Sequence, residues 1–136
     1  MKSYDHPITV SHNLGIVDYG AGSSVQLIPV PPGMSSARIE FALLDVDETF
    51  TDDTTEGAVQ IGDGTDPDKF FVASTGVSAI DTAVSLDGVT EAGKFIDLAR
   101  DGNGGAALTF LTVTMVAPTG GTPAGIANTT IVVSWY

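Results

Sequence analysis

The stretch from Ser36 to Phe50, SARIEFALLDVDETF, alternates polar and apolar residues with a period of two. Side chains of a strand point to opposite faces in turn, so Arg38 and Glu40 fall on one side and Ile39, Phe41 and Leu43 on the other. This is the pattern of a half-buried strand, and its length predicts a central place in a sheet. The same period runs through most of the chain. PITVSH (7 to 12), LGIVDY (14 to 19) and SVQLIPV (24 to 30) are short strand candidates separated by Gly and Ser. Pro29, Pro31 and Pro32 cannot donate to a ladder, so the third of these ends early or runs along an edge. AVQIG (58 to 62), KFFVAS (69 to 74), AVSLDG (83 to 88) and GKFIDLAR (93 to 100) follow at the spacing of an all-β sandwich or barrel.

The C-terminal third is richest in β-branched and aromatic residues. ALTFLTVTMV (107 to 116) and NTTIVVSWY (128 to 136) flank the polar, glycine-laden APTGGTPAGIA, a pattern that predicts a long hairpin with a projecting loop. Leu111, Val113 and Met115 share one face while Leu108 and Phe110 side with the threonines. A bulge, or burial on both faces, is therefore expected near Phe110. In the last strand Ile131, Val133 and Trp135 are expected inward, and Thr130, Ser134 and Tyr136 outward. The only possible helical turn, Thr90 to Ala99, carries Gly93, which costs about 1 kcal/mol against alanine, and a strand is favoured there.

At 136 residues the chain suits one domain, 1–136, in which residues 1–13 form an N-terminal arm or an edge strand. The fold class expected is all-β: a single-domain antiparallel β-sandwich, jelly-roll-like, with little or no helix. There is no cysteine, which removes disulfides, thiolate metal sites and cysteine nucleophiles. The start has no apolar run of signal-peptide length and no stretch approaches the roughly 18 apolar residues of a membrane span. The expectation is a soluble chain, not exported by the general route. Net charge is −12, from 17 acids against five scattered bases, so nucleic acid and anionic membranes are repelled and neither is expected as a partner. Nine of the acids lie from Asp45 to Asp68 with no Lys or Arg among them, which reads as a solvated loop or rim.

Within that run, IGDGTDPDKFF (61 to 71) places Asp63, Asp66 and Asp68 close together, as in a cation-binding loop. An EF-hand loop needs oxygen ligands at positions 1, 3 and 5, glycine at 6 and glutamate at 12. Counting from Asp63, these later positions hold Thr65, Pro67, Asp68 and Ser74, and the match fails. Asp63, Asp66 and Asp68 stay as weak candidates for an irregular calcium site. A rigid turn is the stronger reading, because Gly supplies positive φ, Asp bonds its own backbone and Pro67 fixes φ. His6 and His12, if on one strand, would stand about 20 Å apart, too far to share a metal. No G-x-S-x-G elbow is present, and DGNGGA (101 to 106) precedes a strand and so is no phosphate loop. The acid pairs Asp45 with Asp47 and Asp52 with Asp53 lack any organising base, and no catalytic residue or cofactor is predicted. Among the aromatics Tyr4, Tyr19, Trp135 and Tyr136, Trp135 suits a core and Tyr136 a contact.

Residues 36 to 74 and 105 to 136 resemble the small decoration (cement) proteins and related head proteins of tailed bacteriophages. The resemblance lies in a long strand leading to the GDGTD turn, and in the GTPAG loop before a final aromatic-ended strand. It implies a β-sandwich or jelly-roll-like subunit without enzymatic activity, a homotrimer or alternatively a homodimer. Such a subunit sits on the outer surface of the virion capsid and has the major capsid protein as partner. Tyr4, His6 and Pro7 of the polar N-terminal segment, with Tyr136, are the candidate partner-binding residues. A reading from a different class is a carbohydrate-binding or adhesin-like module, calcium-assisted through Asp63, Asp66 and Asp68.

Overall fold

A computed structural model describes residues 7–51, 54–76, 82–86 and 95–136. Nine strands are described: β1 (Ile8–Asp18), β2 (Ser24–Pro29), β3 (Ser36–Glu48), β4 (Ala58–Gly62), β5 (Phe71–Ser74), β6 (Ala83–Leu86), β7 (Ile96–Asp97), β8 (Phe110–Val116) and β9 (Ile126–Trp135). Among the described residues the helical content is two three-residue 3-10 turns, Tyr19–Ala21 and Asn103–Gly105.

All pairings are antiparallel and divide the strands between two sheets. Sheet A has the order β1-β9-β3-β6, with β7 also pairing β3, and sheet B the order β2-β8-β4-β5. With the two-residue β7 set aside, the pairings nest. First joins last in β1–β9, then β2–β8, β3–β6 and β4–β5 follow inward along the chain. A long two-stranded ribbon wrapped into two sheets gives this arrangement, and it is the jelly roll. One core fills the space between the sheets. Trp135, Tyr19 and Phe50 are fully buried, each contributing about 2–3 kcal/mol of apolar burial, against about 0–1 for a surface ion pair. Packing, not charge, therefore holds the sandwich together.

The expected C-terminal hairpin is not formed. β8 lies in sheet B between β2 and β4, whereas β9 lies in sheet A between β1 and β3, so residues 117–125 cross the sandwich instead of turning back. Alternation tells which side chains point inward but not to which sheet a strand belongs, and Leu111, Val113 and Met115 are equally buried either way. No bulge occurs near Phe110. The strand begins there with Phe110 exposed, and Leu108 is buried from the preceding loop. β3 is long and flanked by β9 on one side and by β6 and β7 on the other, as expected. Its phase is different, because a bulge at Glu40 breaks the register between Ile39 and Phe41. Ile39, Ala42, Leu44 and Val46 are buried, and Phe41 and Leu43 turn to the outer face.

The separate candidates 7 to 12 and 14 to 19 are one strand, β1, interrupted by a register shift between Asn13 and Ile16. Gly15 takes φ +80° at that bulge, and its N–H donates to Asn13 Oδ1 at 2.8 Å. In β9, Ile131, Val133 and Trp135 face inward as expected, but Ser134 is also buried, covered by neighbouring strands and hydrogen-bonded to Thr9. Of the expected strand 93 to 100, the described part is Ile96–Asp97 followed by a turn.

Candidate partner-binding surface

The acidic loop joins β4 to β5 and works as a turn. Asp63 Oδ1 accepts from the backbone N–H of Thr65 (2.9 Å) and of Asp66 (2.8 Å). Its Oδ2 accepts from Lys69 Nζ at 3.2 Å, and the side chain is only 2% exposed. The Asp66 backbone bond, helped by Thr65 and Lys69, holds this carboxyl below the usual carboxylate range. Lys69 Nζ also donates to the Asp101 carbonyl at 2.6 Å, tying the hairpin to the 98–106 loop. The cation of this loop is thus a lysine ammonium. Gly62 is required here, since an added Cβ would fall on the Asp66 carbonyl oxygen.

Asp66 is pushed upward, chiefly by a hydrogen bond with the Asp68 side chain. Among the described residues, no group of three or more His, Asp or Glu side chains is placed to hold a metal ion.

Of the predicted contact residues, Tyr4 and His6 lie outside the described residues. Pro7 is exposed immediately before β1, and the β1–β9 register sets it beside Tyr136 at one end of sheet A. Tyr136 exchanges backbone hydrogen bonds with Ser35 and Ser36, and its ring packs edge-on against Phe95 at 4.9 Å. His12 points into the layer between the sheets and accepts a 3.4 Å hydrogen bond from Trp135 Nε1. Partial burial lowers its pKa. Tyr19 is wholly buried and shares a 2.8 Å hydrogen bond with Thr129. Burial pushes its phenol up to about 12, and the same burial leaves no exposed ring for a ligand.

The surface that sequence reading missed is the outer face of sheet B. Register sets Val25, Thr114, Gln60 and Val72 in one row, Leu27, Thr112 and Gly62 in the next, and Pro29 with Phe110 in a third. None of these residues is charged, in a chain of net charge −12. Val25, Leu27 and Phe110 are 59%, 53% and 45% exposed. β2 is oriented against ordinary hydropathy, with Val25 and Leu27 outward and Gln26 facing in across from buried Val113. Gln26 is satisfied there, because its Nε2 donates to the Leu14 carbonyl at 3.0 Å. A strand that hides its glutamine and shows its aliphatics departs from the pattern of a solvent face, and such departures are expected where a surface has work to do.

Beside this face, Leu27, Phe110, Thr112, Leu108, Asn103 and Asp63 line a cleft of about 290 Å³. The walls are part apolar and part polar, and the Asp63 carboxylate at its side already accepts three hydrogen bonds. The arrangement suits an apolar side chain of a partner seated beside a flat, uncharged sheet. No family model, curated protein or solved structure matches the chain.

Proposed function

We propose that this chain is a capsid decoration (cement) protein that binds the outer surface of an assembled phage head through the outer face of sheet B and stabilises the major capsid lattice. The observation that carries the reading is the uncharged, partly apolar face on a strongly acidic molecule. Repulsion keeps the acidic surfaces apart from one another and from nucleic acid, and leaves this face as the place where apolar burial can drive association. The jelly roll supports the reading only as a scaffold, since it hosts capsid and lectin domains alike.

Area decides how such a protein must work. Six residues of strand by four strands give a face of roughly 20 Å by 19 Å, or roughly 400 Å². A standard interface takes about 800 Å² per partner, so one face alone gives weak binding, and several subunits acting together give tight binding. A module that binds only the assembled lattice stabilises it by mass action.

The test is co-sedimentation of purified protein with matching capsids that lack it. Retention of the natural chain and loss of a Leu27→Asp variant is the expected result, and failure of the natural chain to co-sediment sinks the reading.

A second reading, a carbohydrate-binding or adhesin-like module, draws support from the cleft, where the exposed Phe110 ring stands near Asn103 and Thr112. A glycan array with and without chelator separates the two, since binding in neither condition removes it. Calcium assistance through Asp63, Asp66 and Asp68 has little support, because Lys69 already occupies the Asp63 carboxylate.

A further inference from the structure

Each sheet of an open sandwich ends in edge strands whose outward N–H and C=O groups invite pairing, and most proteins blunt them. Three edges are blunted here. β2 stops at Pro29 with Pro31 and Pro32 beyond it, β5 is four residues long, and β6 is four residues long among the described residues. β1 is different. It has eleven residues, and among the described residues its strand pairing is to β9 alone. From Ile8 to Asn13, the run ITVSHN contains no charge, no proline and no bulge, since the Gly15 irregularity falls after it.

We propose that β1 pairs antiparallel with β1 of a second copy across a two-fold axis, joining the two five-stranded sheets into one. Three observations select a second copy as the occupant. First, copies of net charge −12 repel, and no Asp, Glu, Lys or Arg occurs between Ile8 and Val17, so the approach is uncharged on both sides. Second, the run is self-complementary. A two-fold centred on one of its residues keeps the inward side chains Ile8, Val10 and His12 of both copies on one side of the joined sheet and Thr9, Ser11 and Asn13 on the other. Third, Ile8 stands opposite fully buried Trp135 in register yet is 55% exposed, so the apolar layer runs out past the edge uncovered. A second β1 would continue that layer. The pairing does not depend on lattice binding, although it would double the number of sheet B faces one particle presents.

Sedimentation equilibrium on the full chain tests this. The apparent mass should rise with concentration toward twice the 13.9 kDa of one chain. Ser11 is exposed on the outer side of β1, and Ser11→Asp should weaken the dimer about tenfold by setting like charges near each other, with the far-ultraviolet spectrum unchanged. Leu27→Asp, on the other sheet, should leave self-association alone. On the natural chain, alternate amides from residue 8 to 13 should exchange more slowly in concentrated than in dilute solution, a readout that stands even where Ser11→Asp fails to fold. A monomer at all concentrations, a trimer, or a dimer insensitive to Ser11→Asp and broken by Leu27→Asp would overturn the proposal.

Discussion

The two outer faces of the sandwich are built by the same fold and differ in chemistry. Sheet A shows a mixed surface: Arg38 pairs with Glu40 at 3.3 Å, Asp18, Asp45 and Glu48 lie at outward or rim positions, and Asn13 bonds Asn128 and Thr130 across β1 and β9. Sheet B shows Val25, Leu27, Pro29, Phe110 and Val72 among threonines, with no charged residue in its strands and the Glu56 carboxylate at its rim, bonded to Ser74. The first mixes charged and polar groups with apolar ones, Ile16 at 70% exposure and the half-buried Phe41 and Leu43. The second carries no charged residue on its strands in a chain where 17 of 136 residues are acidic, and β2 turns Gln26 inward while showing Val25 and Leu27. The difference teaches that function is read here from what a face leaves out.

The largest expected effect is on binding. Leu27→Asp places an unpaired carboxylate on the β2 edge of the sheet B face, beside the cleft, and should weaken the proposed capsid association by about 2–4 kcal/mol, roughly 30- to 1,000-fold. Asp45→Lys on sheet A should change it far less, and equal losses would erase the contrast between the faces. Next is the turn that walls the cleft. Asp63→Ala removes a carboxylate that accepts three hydrogen bonds and should cost about 1–3 kcal/mol of stability in urea titration. Because the folded-state pKa of Asp63 is depressed, its contribution is present above the unfolded value and is lost as pH falls through the folded one. The acid limb of stability should therefore flatten in the variant. Gln26→Ala, which leaves β2 without its inward bond, should cost about 1 kcal/mol and leave capsid binding intact, separating the device that orients β2 from the face it presents.

The smallest effect is on the sheet A edge. His12 has a lowered folded pKa, so the unfolded chain takes up its proton first as pH falls below the ordinary histidine value of 6.5. Stability is full above that value and declines below it until the folded pKa is reached. His12→Gln, which keeps an acceptor near Trp135 without titrating, should remove this part of the decline in melting temperature.

The strands were legible because alternation, glycine and proline are local signals, as β4 shows, whose bounds match AVQIG residue for residue. The turn chemistry of Asp63 was legible for the same reason, and Lys69, six residues on, was visible but could not be assigned as its counter-ion without a fold. What was not legible is long-range. Nothing in ALTFLTVTMV or NTTIVVSWY says that the two belong to different sheets, and the bulge at Glu40 depends on how β9 lies against β3. The sheet B face joins Val25 and Leu27 to Phe110 and Thr112, residues distant in sequence that become neighbours only through the β2–β8 register. The outward tilt of β2 also contradicts its own hydropathy, so local reasoning points the wrong way there.

The nested pairing carries a consequence for how the molecule comes into being. β9, the ninth strand along the chain, holds a middle place in sheet A, and both β1 and β3 hydrogen-bond to it. During synthesis those two strands leave the ribosome long before the strand that joins them, and β1 has no partner in sheet A until β9 emerges, although β3 can already pair with β6 and β7. Contacts of such sequence separation make folding slow and leave unpaired strands exposed meanwhile. Until β9 is seated, the edges of β1 and β3 that it will join stand open to other chains, so the yield of folded protein depends on how soon β9 reaches its slot.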